Sequence, residues 1–384
     1  MKIVVSGGGS GGHIFPILAT LEELRKLDAD LDVLYIGQAG SMESNVAAAQ
    51  GLNFAAIHAG KLRRYADVST LRALTDVRTI SLNVRDVTRL VRGYRRSMSI
   101  LRSFKPDVIF CKGGYVSLPV GLAAATLKIP YVVHESDLRA GLSNRTLAKW
   151  AANVAVGFPT KNYHDLPKSK LIYTGSPIRA EIFKISATKA RNHFGLTNDK
   201  PVVLVTGGGL GSQSLNDVVT TALPKLLEKY QIIHVTGEKD IEHVRFRLRA
   251  FSDGELAGYH VFSFLREDMP LALVAADVVI TRAGATALAE LAALSKPSIV
   301  IPHPGLTDQA INAKTFARAG AVRNVPQVGL TPAILLRELQ RITDSPREQQ
   351  LLSKSISTFA KTDAALELAE LIVETAGELH GTQE

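Results

Sequence analysis

Lys2-Ile3-Val4-Val5-Ser6-Gly7-Gly8-Gly9-Ser10-Gly11-Gly12-His13 reads as a short apolar strand ending in a glycine loop, with a helix from about Ile14 to Leu27 behind it. Glycines at 7, 9 and 12 give the spacing Gly-x-Gly-x-x-Gly, which lets the backbone approach a ligand at a helix N-terminus that attracts anions. Two hundred residues on, Val205-Thr206-Gly207-Gly208-Gly209 repeats the device at the end of another apolar run. Around the first copy lie strand candidates Val33–Ile36, Val108–Cys111 and Tyr131–Val133, and around the second Ile232–Val235, Val278–Ile280 and Ser298–Ile301. Strands alternating with helical stretches predict a parallel sheet covered on both faces, and the repeat predicts two such α/β domains in tandem. Gly175-Ser176-Pro177 breaks the periodicity and marks the expected linker. Ligands of such sheets sit beyond the strands' carboxyl ends, so two facing domains would set their loops around one cleft.

At 384 residues the chain is long enough for two cores, and 46% hydrophobic with 21% charged residues excludes a disordered chain. The longest apolar run, Val116 to Leu127, is interrupted by Pro119 and Gly121 and is too short to span a bilayer. The N-terminus enters a strand with no signal pattern, which predicts an uncleaved cytosolic chain. Cys111, the single cysteine, sits in an apolar run and reads as a buried small hydrophobe. The net charge of +9 is concentrated: residues 61–105 hold twelve Lys/Arg against Asp67, Asp76 and Asp86, a net +9 by themselves. That concentration points to a localised anionic partner. From Val84 to Leu101, Val84, Val87, Val91, Tyr94, Met98 and Leu101 keep helical spacing, predicting a crossover helix with this stripe packed on the sheet. Arg85, Arg89, Arg92 and Arg96 would lie beside it, toward anionic headgroups. Nucleic acid is the weaker partner, because no stacking pattern of aromatics accompanies the charge.

A dehydrogenase would need a carboxylate ending the second strand to hold a ribose, and that strand ends Tyr35-Ile36-Gly37-Gln38. His13, in the first turn after the glycine loop, is a candidate general base. The second loop, Gly207 to Gly211, suits a phosphate. Thr281-Arg282-Ala283-Gly284-Ala285-Thr286 would open a helix able to hold a diphosphate, and Glu290, about a turn further on, could accept hydrogen bonds from ribose hydroxyls. Asp28, Asp30 and Asp32 form Asp-x-Asp patterns on the sheet edge opposite the ligand loops and read as turn residues. Neither a metal nor another cofactor is implied.

In order along nearly the whole chain, these residues resemble the bacterial peptidoglycan N-acetylglucosaminyltransferases, the MurG family. Residues 8–16, Lys112-Gly113-Gly114-Tyr115-Val116-Ser117 with Pro119, His134-Glu135 and Gly141-Leu142-x-Asn144 carry the likeness. So do Leu147-Ala148-Lys149, Pro177-x-Arg179, Arg282-x-Gly284-Ala285, Glu290 and Gln309-x-x-Asn312-Ala313. The resemblance implies an inverting transfer of GlcNAc from UDP-GlcNAc to the C4 hydroxyl of MurNAc in undecaprenyl-diphosphate-MurNAc-pentapeptide (lipid I), in peptidoglycan synthesis. It implies two facing Rossmann-like domains (GT-B type): 1–177 for the acceptor and membrane, 178–350 for the UDP-sugar, and a helix in 351–384 returning to the first. It implies a peripheral protein on the cytoplasmic face of the cell membrane, touching anionic lipid through 61–105 and binding no nucleic acid.

By matching position, Ser10, Gly11 and Gly12 would approach the phosphates, and the base would be His13 or Glu135. Tyr115 and Asp137 fall among the substrate-binding positions, Arg179 would contact the donor, and Gly209 would meet phosphate. Leu265 or Arg266 would lie near the uracil and Gln309 near the GlcNAc hydroxyls. In the run Ala285, Thr286, Ala287, Leu288, Ala289 and Glu290, the first two would hold the diphosphate and the last the ribose. The chain departs from the family at Gly209, where a serine hydroxyl is lost and Ser212 or backbone N–H groups could compensate. It departs again at Ser136-Asp137, where the family has Gln-Asn, and in Gly305-Leu306-Thr307-Asp308 ahead of Gln309. Another UDP-sugar-dependent lipid glycosyltransferase or a UDP-GlcNAc 2-epimerase shares the architecture, and an epimerase would leave the basic segment unexplained.

Overall fold

The structure, a computed structural model, describes residues 1–60, 77–209 and 211–377, and of the helical residues 77–84 only the backbone. Lys61, Arg63, Arg64 and Arg72 of the basic segment, the Arg78 side chain, and Leu210 therefore lie outside the described residues. Two compact units divide the chain, Met1–Ile178 with Asp363–Glu384, and Arg179–Thr362.

In the first unit the order is β1 (Lys2–Gly7), α1 (Gly11–Leu27), β2 (Asp32–Gln38), α2 (Met42–Ala49), β3 (Asn53–Ile57) and α3 (Val77–Phe104). It continues with β4 (Val108–Gly113), α4 (Gly114–Leu127), β5 (Tyr131–Glu135), α5 (Leu142–Leu147), β6 (Asn153–Val156) and β7 (Leu171–Tyr173). Among the described residues its seven strands lie in the order β3-β2-β1-β4-β5-β6-β7, and every pairing is parallel. Ile3 stands between Val33 and Val108 in register, and all three are buried. Strands covered on both faces have no solvent side to alternate with, which is why their sequences run apolar without interruption.

The second unit repeats the plan: α6 (Ala187–His193), β8 (Val202–Thr206), α7 (Gln213–Lys229), β9 (Gln231–Val235), α8 (Ile241–Leu248), β10 (Tyr259–Phe262) and α9 (Met269–Ala275). Then come β11 (Val278–Thr281), α10 (Ala285–Ala293), β12 (Ser298–Val300), α11 (Thr307–Arg318), β13 (Arg323–Asn324), α12 (Pro332–Thr343) and α13 (Pro346–Ser357). Its strands order as β10-β9-β8-β11-β12-β13. Both sheets change winding direction beside their first strand, at β1/β4 and at β8/β11, which is where an open α/β sheet leaves a ligand crevice. Both repeated glycine loops leave the carboxyl ends of those first strands.

The tail differs from the single returning helix expected in 351–384. Leu352 and Ile356 of α13 are buried in the second unit, the segment 358–363 breaks the helix, and α14 (Ala364–Gly377) belongs to the first unit. There Leu368 and Ile372 join the core with Leu21 and Leu24 of α1, and Asn153 Nδ2 donates to Thr375 Oγ1 at 3.0 Å.

Helix α3 also corrects the sequence reading. Its backbone presses on the segment after β3: a Cβ on Gly93 would stand 2.0 Å from the His58 carbonyl oxygen, and one on Gly60 1.9 Å from that of Asp86. Contact that close admits only a narrow inner face, so Asp86, Gly93, Ser97 and Leu101 are buried. Val87 and Val91, expected against the sheet, are 49% and 44% exposed. Val91 lines an open groove of about 450 Å³ together with Leu90, Tyr94, Leu122 and Trp150.

Candidate active site

In the first unit Ser10 stands at the N-cap position of α1 without a side-chain cap, so Gly11, Gly12 and His13 form the helix's first turn. Gly9 has φ +85°, and a Cβ there would meet the Tyr115 ring at 2.9 Å, so the loop requires glycine. Tyr115 Oη donates to Gln38 Oε1 at 3.1 Å. Beneath the loop lies Glu43, fully buried, accepting from the N–H groups of Gly9 and Gln38, each at 3.3 Å. Nothing local in the sequence singles this residue out, since an acid in a helix's first turn is ordinary. Its consequence is electrostatic: a carboxylate under Gly8 and Gly9 disfavours an anion at that part of the loop, leaving the start of α1 as the anion-attracting part.

His13 Nδ1 stands 3.0 Å from Ser10 Oγ. Loss of hydration pulls its pKa down to about 4; the charge of Lys112 acts the same way, and a hydrogen bond with the Gly8 carbonyl opposes both. The imidazole is therefore neutral at ordinary pH. Glu135, the other candidate base, ends β5 with its oxygens committed: Oε1 accepts from Asp137 N–H at 2.9 Å, and Oε2 from Gly141 N–H at 2.8 Å and Asn144 Nδ2 at 3.0 Å. Burial raises its pKa while Lys112 and these donors act against the rise. This carboxylate pins the 136–141 loop to the strand end. Asp137 is half-buried in that loop, and Arg145 pairs with Asp165 at 3.8 Å. Cys111 is buried, its thiol pushed up to about 12 by loss of hydration.

In the second unit Gly208 and Gly211 take φ of +79° and +77°, and Gly209 is exposed. Ser212, expected as a possible phosphate contact, accepts at its hydroxyl oxygen from Leu215 N–H, capping α7, and from Arg282 Nη2, while Arg282 Nη1 donates to the Ile301 carbonyl at 2.8 Å. Arg282 was visible in its motif, but its buried cross-tie between two loops was not.

Helix α10 starts after Gly284 with no side-chain cap, presenting its N-terminal N–H groups at the carboxyl end of β11. Ala285 and Leu288 are buried; Thr286, Ala287, Ala289 and Glu290 are half-buried. Loss of hydration raises the Glu290 carboxyl to about 7, with the Arg179 guanidinium pulling the other way. Arg179 Nη1 pairs with Glu181 at 2.9 Å, and Nη2 donates to the Arg266 carbonyl at 3.3 Å, which ties it to the segment of buried Leu265. Gln309 Oε1 accepts from His303 N–H at 3.0 Å, and buried Asn312 donates to the Ala283 carbonyl at 3.1 Å. The unit thus gathers Arg179, Arg266 and Glu290 from segments far apart in sequence.

The Asp-x-Asp patterns lie at the other end of the first sheet, where Asp28 binds the Met1 ammonium at 2.7 Å. Among the described residues no group of three or more His, Cys, Asp or Glu could hold a metal ion.

Residues 3–156 match the glycosyltransferase family 28 N-terminal domain and residues 202–368 its C-terminal domain. A Halalkalibacterium halodurans protein is 35% identical over 98% of this chain and 100% of its own length. A Listeria monocytogenes protein is 34% identical over 97% and 99%. Both are named UDP-N-acetylglucosamine--N-acetylmuramyl-(pentapeptide) pyrophosphoryl-undecaprenol N-acetylglucosamine transferase. The crystal structure of Acinetobacter baumannii MurG is similar at TM-score 0.69 and 25% identity, covering 97% of this chain and 99% of that one. A UDP-GlcNAc 2-epimerase from Neisseria meningitidis reaches TM-score 0.65 at 15% identity over 98% and 99%, a likeness of fold alone. Two Rossmann-like domains of GT-B class, both family domains in order and full-length relatives at this identity place the chain in glycosyltransferase family 28, among the MurG transferases.

Proposed function

We propose that the chain is an inverting N-acetylglucosaminyltransferase that moves GlcNAc from UDP-GlcNAc to the C4 hydroxyl of MurNAc in undecaprenyl-diphosphate-MurNAc-pentapeptide. The observation that carries this reading is the full-length likeness to transferases named for that reaction. The acceptor oxygen bonds to the anomeric carbon as the bond to UDP breaks. The electron pair leaves with UDP, the hydroxyl proton goes to the base, and the single displacement turns an α donor into a β product.

In the first unit His13 is the base. Its neutral imidazole supports this role, whereas the Glu135 oxygens are held by three donors and serve the loop. Ser10 to Gly12 meet phosphate at the start of α1, and Tyr115 and Asp137 border the acceptor. In the second unit the N-terminus of α10 and the Gly209 loop hold the diphosphate of UDP, and Arg179 adds positive charge. Glu290 takes the ribose hydroxyls, Leu265 and Arg266 the uracil, and Gln309 the sugar. The test is incubation with UDP-GlcNAc and a short-chain lipid I analogue. Product with a new β-linked GlcNAc is expected, and His13→Ala should cut turnover by about 10²–10⁴-fold while UDP binding persists. Failure of the unaltered protein to glycosylate the acceptor overturns the reading.

The same reading puts the protein on the cytoplasmic face of the membrane that holds the acceptor lipid. Exposed Val87, Val91 and Trp150, with Arg85, Arg89 and Arg92 exposed on the same helix as the valines, support a bilayer-facing surface on the first unit. Among the described residues no helix is long and apolar enough to cross a membrane.

A further inference from the structure

Lys112 is the penultimate residue of β4 and is only 2% exposed. Burying an ammonium is costly unless it is hydrogen-bonded and neutralised, so a lysine at this depth needs a local account. Its Nζ donates to Ser136 Oγ at 2.9 Å, reaching the loop after β5. The stem is pressed against the glycine loop: a Cβ on Gly7 would meet Lys112 Cβ at 3.0 Å. The next turn is equally tight, since a Cβ on Gly114 would stand 2.5 Å from the Gly8 carbonyl oxygen and 3.4 Å from His13 Nδ1. The ammonium is thus fixed among the ends of β1, β4 and β5.

Charged and titratable groups face it from α1, from β4 and β5 and from the loop after β5. Glu135 and Asp137 stabilise its charge from β5 and the following loop, against the larger effect of burial, which brings its pKa down to about 8. His13 from α1 and His134 from β5 both feel its charge and are held neutral more firmly for it. His134 is itself fixed, its Nε2–H donating to the Gly175 carbonyl at 2.7 Å. Cys111, on the same strand, is a neutral thiol. Tyr163 lies beyond, in the fields of Glu135 and Asp137, with its phenol raised by burial.

We propose that Lys112 is a positioning residue of the transfer reaction: tied to Ser136, it orders the 135–137 turn and keeps a fixed positive charge beside His13 and Glu135 that repels a proton from either. The inference rests on the reading that one of these two groups handles the acceptor proton, and it does not depend on which. Removing the charge raises the pKa of both, because an imidazolium loses a repulsion and a carboxylate loses an attraction. The acid limb of the rate profile must then move up, whichever group is the base.

The test is steady-state transfer to the short-chain lipid I analogue between pH 4 and 9 by the unaltered protein, Lys112→Met and Ser136→Ala, with folding checked by circular dichroism. In Lys112→Met the acid limb of kcat should rise by about one pH unit, roughly a tenfold loss of rate below it, with the KM for UDP-GlcNAc within about twofold. A limb that stays in place in folded Lys112→Met overturns the inference, since a merely structural residue would lower stability without moving it. Ser136→Ala keeps the charge and frees the tie, and should lower kcat by about tenfold at an unchanged donor KM. Should Lys112→Met not fold, an unchanged kcat in Ser136→Ala overturns the inference instead. An unaltered protein that transfers nothing sinks the proposed function, whereas active protein with an unmoved Lys112→Met limb sinks only the role of Lys112.

Discussion

Glu290 shows how one side chain's surroundings set its chemistry. Its carboxyl is raised to about 7 where 4.5 is ordinary, because loss of hydration disfavours the charge more than Arg179 favours it. Between these values the folded chain binds more protons than the unfolded one, so this group's contribution to stability falls as pH rises from 4.5 to 7. For the proposed ribose contact the sign reverses: hydroxyls donate to the carboxylate, so binding favours the ionised form and releases a proton. UDP-GlcNAc affinity should therefore rise by roughly tenfold from pH 6 to pH 8 and lose that dependence in Glu290→Gln. Titration calorimetry in two buffers of different ionisation heat would read the proton release. Affinity independent of pH would remove Glu290 from the ribose. The residue and its helix were legible in sequence; its proton affinity was not, because loss of hydration in the folded unit sets it against the opposing pull of Arg179, 111 positions away.

At the scale of elements, α3 is the instructive case. Periodicity located the helix and its buried Leu101 but misplaced Val87 and Val91, because hydrophobic spacing assumes that the largest apolar stripe packs inward. The approach of the 58–60 segment overrides that assumption: Gly93 and the Asp86 backbone meet it, and Ser97 and Leu101 complete the buried face. Val87 and Val91 are left outward, and Val91 shares a groove with Trp150, the chain's single tryptophan, at 55% exposure. That arrangement supplies its own probe. Adding anionic vesicles should blue-shift the tryptophan emission, and raising salt from about 0.05 to 0.5 M should weaken the response as the arginines are screened. Val91→Glu should diminish the shift strongly. Equal shifts with neutral vesicles, or none with either, would leave this surface without the proposed membrane role.

Over the whole molecule, the last helix reverses the order of the chain. The segment after α13 leaves the second unit, and α14 completes the first, with Leu368 and Ile372 inaccessible in a core shared with α1. Ile372→Ala should cost about 2–5 kcal/mol of the first unit's stability, the range for removing a large aliphatic side chain from a core. Urea denaturation followed in the first unit through Trp150 would measure it. A midpoint unchanged from the parent protein would mean that α14 contributes little to that core.

The sequence by itself determined the two α/β units, their parallel strands and the loops that end them, because strand and helix periods and glycine punctuation are local properties of the chain. It also located His13, Glu135, Arg179 and Glu290 by motif. Only the tertiary structure decided what each can do: that Glu135 clamps a loop with its oxygens occupied, that Ser212 accepts from Arg282, that Glu43 underlies the glycine loop, and that Lys112 stands charged between two carboxylates and two imidazoles. Hydrogen-bond commitment and loss of hydration depend on neighbours from strands distant in sequence. Local pattern can therefore name a residue's position, while packing sets its charge and its free lone pairs.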